Sequence, residues 1–192
     1  MYLSKIVFNP NNPEARDDLN SPYELHRTLC AGFDEDKRPR ILFRQMDRKP
    51  QVLLLSDSAP DFQKQLRGGR LLRVDSKAFN PTIKEGLRLR FQLKANPTKK
   101  SDGKRLGIED PQEQVNWLSQ KGRRHGFRLL GAQVVRCDVS KTRRPSGGVM
   151  VHLWAEFHGA LEVTDAAEFQ KCLESGVGSA KAFGFGLLMV SG

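Results

Sequence analysis

Residues 86–97 read GLRLRFQLKANP. Leu87, Leu89, Phe91 and Leu93 alternate with Arg88, Arg90, Gln92 and Lys94. In an extended chain that places apolar side chains on one face and polar ones on the other. It is the signature of a half-buried strand, punctuated by Gly86 before it and by Asn96-Pro97 after it. Downstream, TKKSDGKRLG (98–107) reads as a polar, basic loop. Asp110-Pro111-x-Glu113 then opens a helix in capping-box fashion, running through Val115, Trp117 and Leu118. FRLLGAQVVRCDV (127–139) is a strand, SKTRRPSGG (140–148) a loop or hairpin tip, and VMVHLWAEFHGALEV (149–163) a long strand with a break expected near Gly159. A helix over DAAEFQKCLES follows Thr164 or Asp165, and FGFGLLMV (183–190) closes as a strand. The order is β-α-β-β-α-β, the split βαβ unit.

The chain upstream predicts the same order. MYLSKIVF is a first strand, and NPNNPEARDDLN (9–20) is turn-rich and reads as loop. In SPYELHRTLCAGF (21–33), Ser21 can cap a helix, Pro22 suits its first position and Glu24 completes a capping box. Leu25, Leu29 and Phe33 recur at i+4 as one apolar stripe, and Gly32 marks the end. ILFRQM (41–46) and QVLLLS (51–56) are strands, APDFQKQLR (59–67) a helix, and RLLRVDSKAF (70–79) a strand. The fold expected is α+β, with two tandem ferredoxin-like (βαββαβ) domains at residues 1–80 and 86–192. The two halves share a pattern and not residue identity.

Composition narrows the function. The 192 residues hold 32 Lys and Arg against 22 Asp and Glu, a net charge of +10. Such a balance favours an anionic partner, nucleic acid first. No basic amphipathic helix points to a membrane surface, and no apolar run is long enough to span a bilayer. MYLSKIVF lacks the parts of a signal peptide. Cys30, Cys137 and Cys172 are odd in number and widely spaced, so a reducing cytoplasmic setting is expected, with neither a disulfide framework nor a CxxC metal site. His125, His152 and His158 have no spacing that closes a metal site. No small-molecule cofactor is implied.

Three constellations could carry chemistry. Tyr23 and His26 share a helix face at i, i+3. His26 lies about 100° round the helix from Leu25, at the edge of the apolar stripe. Its imidazole can exchange a proton near neutral pH, Tyr23 can hold a substrate, and Arg27 can meet a phosphate. The competing reading has His26 packed at an interface and Tyr23 filling a gap. The second is GVGSAKAFGFG (176–186), where Gly176, Gly178, Gly184 and Gly186 surround Lys181. Glycines permit positive φ and close approach of backbone to a ligand, so amides and a lysine can bind phosphate; a glycine-rich turn before a buried edge fits equally well. It matches neither the Walker loop nor the dinucleotide fingerprint. The third is basic material at Lys121, Arg123, Arg124 and His125, and at Arg136, Lys141, Arg143 and Arg144. The latter group frames a hairpin that can track a nucleic-acid backbone, or is a solvated charged loop.

Taken together, MYLSKIVF, Y-E-L-H (23–26), FQLKANPTK (91–99), EQVNWLSQK (113–121) and GVGSAKAFGFGLLMV resemble the CasE family, the CRISPR repeat-processing endoribonucleases of type I-E Cascade. The resemblance spans nearly the whole chain. It implies two tandem ferredoxin-like domains and metal-free cleavage of CRISPR precursor RNA at the 3′ base of its stem-loop. It also implies association with other subunits of the Cascade surveillance complex. By position it makes His26 the catalytic histidine, Tyr23 its helper and 176–186 the signature loop, and it sets the hairpin around 136–151 against the RNA stem. Residue matches in that hairpin are poor, and the resemblance carries no firm family counterpart over to Arg27. The alternative is a non-catalytic subunit that only holds the stem-loop.

Overall fold

The computed structural model describes residues 1–34, 39–47, 49–101, 103–143 and 147–192. They form two compact units. The first is Met1–Pro81 together with Ala182–Gly184; the second is Thr82–Lys181 together with Phe185–Gly192.

In the first unit, β1 (Tyr2–Phe8), β2 (Ile41–Gln45), β3 (Gln51–Ser56) and β4 (Leu71–Ala78) form an antiparallel sheet in the order β2-β3-β1-β4. The helices are α1 (Pro13–Asn20), α2 (Pro22–Cys30) and the short α3 (Gln63–Arg67). Ile6 and Phe8 of β1, Phe43 of β2, and Val52 and Leu54 of β3 bury one face against Leu25 and Leu29 of α2. The predicted stripe is therefore what seats α2 on the sheet.

Two expectations fail in this unit. Residues 9–20 are not all loop: Pro13–Asn20 is helical, because the Asn12 side chain accepts from the Ala15 N–H and Pro13 needs no partner at the first position. What fixes α1 is a buried ion pair. Asp18, fully buried, accepts from Arg70 Nε at 2.7 Å and Nη2 at 2.6 Å, and from the Thr28 hydroxyl at 3.0 Å. The helix expected over 59–67 shrinks to Gln63–Arg67, since Asp61 caps through an Asx turn to Gln63 N and Phe62 sits in the core.

In the second unit, β5 (Arg88–Ala95), β8 (Phe127–Arg143), β9 (Val149–Val163) and β10 (Leu188–Ser191) give the order β10-β5-β9-β8. Counted within its own unit, each sheet runs 4-1-3-2, as two ferredoxin-like folds require. The β5 alternation holds: Leu89, Phe91, Leu93 and Ala95 are buried, while Arg88, Arg90 and Gln92 are exposed. α4 (Pro111–Arg124) and α5 (Ala166–Ser175) cover the apolar face with Trp117, Leu118, Phe169 and Leu173.

Here too the structure corrects the pattern. Residues 98–107 are a hairpin, β6 (Thr98–Ser101) with β7 (Lys104–Gly107). The closing strand is only Leu188–Ser191, because Lys181–Phe183 takes a 3-10 turn. β9 runs through Gly159 without a break. A β-bulge between Leu129 and Gly131 of β8 sets the Gly131 carbonyl where a Gly159 Cβ would stand, so glycine here permits close packing of strands and does not end one.

Candidate active site and nucleic-acid interface

The helix bearing Tyr23 and His26 is capped as its sequence demands. The Ser21 hydroxyl accepts from the Glu24 N–H at 3.4 Å, and Pro22 occupies the first position. Tyr23 is exposed, and no hydrogen bond holds its phenol among the described residues. His26 is half-buried, its ring 6.1 Å from that of Phe43. Cys30, one turn on, places its sulfur 3.7 Å from Nδ1 and 3.8 Å from Nε2. A sulfur equidistant from both nitrogens selects neither tautomer. Burial holds the imidazole below its ordinary value, so the neutral ring prevails at pH 7. Arg27 is ion-paired with Glu24 on the exposed side of the helix.

Gly184, which folds with the first unit, lies against the far neighbour of His26. A Cβ there would stand 3.1 Å from Phe43 Cε2. Phe43 thus touches both the histidine and the glycine-rich segment. Sequence reasoning missed it; an aromatic on a short strand carries no local sign of such a role.

All four predicted glycines have positive φ: 73° at Gly176, 86° at Gly178, 82° at Gly184 and 92° at Gly186. In the second unit, packing accounts for them. Gly176 ends α5, Gly178 lies under Trp117, and a Cβ at Gly186 would meet the Val177 carbonyl at 2.8 Å. Val177 N–H donates to the Gly186 carbonyl and Gly186 N–H to that of Lys94. Asn96 explains why the Asn-Pro strand end accompanies this loop. Its amide donates to the Leu153 carbonyl, and its oxygen accepts from Ser179 at 3.1 Å.

Basic groups gather at two places in the second unit. Lys121 and Arg124 in the last turn of α4, with Lys181, act on His125; burial first and these charges second hold its imidazole below the ordinary value. Arg136 lies 5.1 Å from the centre of the Trp154 ring, with Lys94 Nζ at 3.8 Å from it and Asp138 beside the guanidinium. Lys141 is exposed on β8 opposite Val151. Arg144 and the Arg143 side chain lie outside the described residues. The β6–β7 hairpin adds Lys100, Lys104 and Arg105, all exposed, which a loop assignment had hidden. Among the described residues, no three His, Cys, Asp or Glu side chains group as a metal site, and no helix is long and apolar enough to cross a membrane.

Burial lowers the imidazoles of His26, His125 and His152. The unfolded chain therefore takes up protons first, near 6.5. Their contribution is complete above that value and is lost as pH falls through the lower folded-state values. Melting temperature should fall between about pH 7 and about pH 5, before the carboxylates titrate, and less steeply in His152→Asn. A flat profile in wild type would contradict this.

A model of the CRISPR associated protein family matches residues 1–191. The CRISPR-associated endoribonuclease Cse3 of Thermus thermophilus is 37% identical over 211 residues, with both chains covered in full. A structure of Cse3 bound to a 19-nucleotide RNA superposes with a TM-score of 0.90 at 36% identity, again over the whole of both chains. Thermus thermophilus Cse3 bound to an RNA representing a pre-cleavage complex also gives 0.90 at 36% identity, over 100% of this chain and 98% of that one. The chain belongs to the CRISPR associated protein family.

Proposed function

We propose that this protein is a metal-independent endoribonuclease that binds the stem-loop of CRISPR precursor RNA, cuts at its 3′ base and stays with other Cascade subunits. The domain at residues 1–80 supplies the catalytic helix, and the domain at 86–192 supplies the basic hairpin and glycine-rich loop. The observation that carries the reading is His26: neutral at pH 7, at the edge of its helix's apolar stripe, beside an exposed Tyr23. The name and RNA complexes of the 37% identical relative support it.

The chemistry follows from two proton transfers. A ribose 2′-oxygen attacks the adjacent phosphorus in line, and the bond to the 5′-oxygen of the next nucleotide breaks. His26 takes the 2′-hydroxyl proton and Tyr23 gives one to the leaving oxygen. The two groups then re-equilibrate through water. Lys181 or the backbone amides beside it stabilise charge on the phosphorane. The products are a 2′,3′-cyclic phosphate and a 5′-hydroxyl.

A deoxynucleotide just 5′ of the scissile phosphate should abolish cutting without weakening binding, and excess EDTA should leave the rate unchanged. Efficient cutting of the deoxy substrate, or loss of activity in EDTA, would overturn the scheme.

A further inference from the structure

The polar face of the second sheet contains a cavity of about 540 Å³, lined by Arg90, Gln92, His158, Met189 and Ser191 over the Phe91–Gly159 backbone. That volume falls within the roughly 300–1,000 Å³ of ordinary ligand clefts. Strand register explains the hollow. Ser191, Arg90 and Ala160 form one row across the sheet, ending near the Gly131 bulge; Met189, Gln92, His158 and Gln133 form the next. Ala160 and Gly131 carry almost no side chain, so the floor drops between taller neighbours.

Charge on this face is specific. In the adjoining row Arg88 and Arg128 both bond Glu162, at 3.0 and 2.8 Å. Beyond the other side, Glu156 bonds His158 Nε2 at 3.1 Å. Arg90, between them and exposed, has no ion-pair or hydrogen-bond partner among the described residues. The hollow therefore offers one uncommitted guanidinium, the amide of Gln92, the Ser191 hydroxyl, and a flat imidazole held in place by Glu156. Guanidinium binds phosphate, amides read base edges, and an imidazole plane stacks on a base.

We propose that this hollow binds one nucleotide of the RNA outside its stem, with the phosphate on Arg90 and the base against His158. The inference rests on the RNA-binding reading above and adds a subsite to it. In duplex RNA the base faces are stacked on one another and cannot lie against an imidazole in the hollow; an unstacked base of a single-stranded flank can.

The test uses three forms of the repeat RNA: the stem-loop alone, and the stem-loop with an oligouridine tail at its 5′ or its 3′ end. Each is titrated by fluorescence anisotropy against wild type, Arg90→Ala and His158→Ala. Wild type should bind one tailed RNA more tightly than the bare stem. Arg90→Ala should weaken that RNA about tenfold, the scale of one hydrogen bond to a charged group. Its log-affinity against log-salt slope should fall by about 0.7, one single-stranded phosphate. Both variants should bind the bare stem as wild type does. A 4-thiouridine in the effective tail should crosslink to a peptide of β5 or β10. Tails that add no affinity, or an Arg90→Ala loss equal for bare and tailed RNA, would overturn the subsite while leaving stem binding intact. Wild type that binds none of the three RNAs would overturn the RNA-binding reading, and the subsite with it.

Discussion

His26→Ala should slow single-turnover cleavage by about a thousandfold, within the 10²–10⁴ range of a lost general acid or base. RNA affinity should stay within about a factor of two of wild type. The separation follows from the position of the ring. His26 stands beside the stripe of Leu25 and Leu29 and not in it, so removing the ring leaves those two leucines in the core. The wild-type pH–rate profile should show a limb below the ordinary histidine value, because burial lowers the imidazole and the base works only when neutral. His26→Ala should lose that limb. If it cuts at the wild-type rate, the helix serves to hold RNA and the non-catalytic subunit becomes the better account.

Arg70→Ala should destabilise the protein by about 3 kcal/mol, or roughly 6–12 °C in Tm for a chain of this size. Asp18 is fully buried, and Arg70 supplies two of the three side-chain bonds described for it. Without the guanidinium a carboxylate remains in the interior with only the Thr28 hydroxyl. Thr28 lies on α2 and Asp18 on α1, so the same network holds α2 to the edge of its sheet. Asp18→Ala/Arg70→Ala should recover part of the loss, since neither charge is then left alone. A single-variant loss below about 1 kcal/mol in denaturant titration would show that water reaches Asp18 after all.

Much of this architecture was readable from the chain. Strand β5 announced itself because its burial alternates with period two, and α2 because its cap, proline and stripe coincide. α1 was hidden since Asn9 to Pro13 reads as a turn, and the reason for its helix lies in Arg70, 52 residues from Asp18. The β6–β7 hairpin was hidden because its side chains are nearly all polar, leaving no face to mark. At the site, the spacing of Tyr23 and His26 was visible, whereas Phe43 and Gly184 meet only through tertiary structure. Asn96 ends the β5 motif, and its bonds to Ser179 and Leu153 supply the physical reason.

The place of β10 bears on how the protein is made. It pairs with β5, so β5 is an interior strand only when Leu188–Ser191 are present. During synthesis β10 emerges long after β5, and until it pairs β5 presents an open edge to every other nascent chain. Arg88, Arg90 and Lys94 line that edge, and charges so placed oppose strand addition from a neighbour. A chain cut short before Leu188 would thus keep most of its core and gain a standing invitation to aggregate, restrained mainly by those three cations.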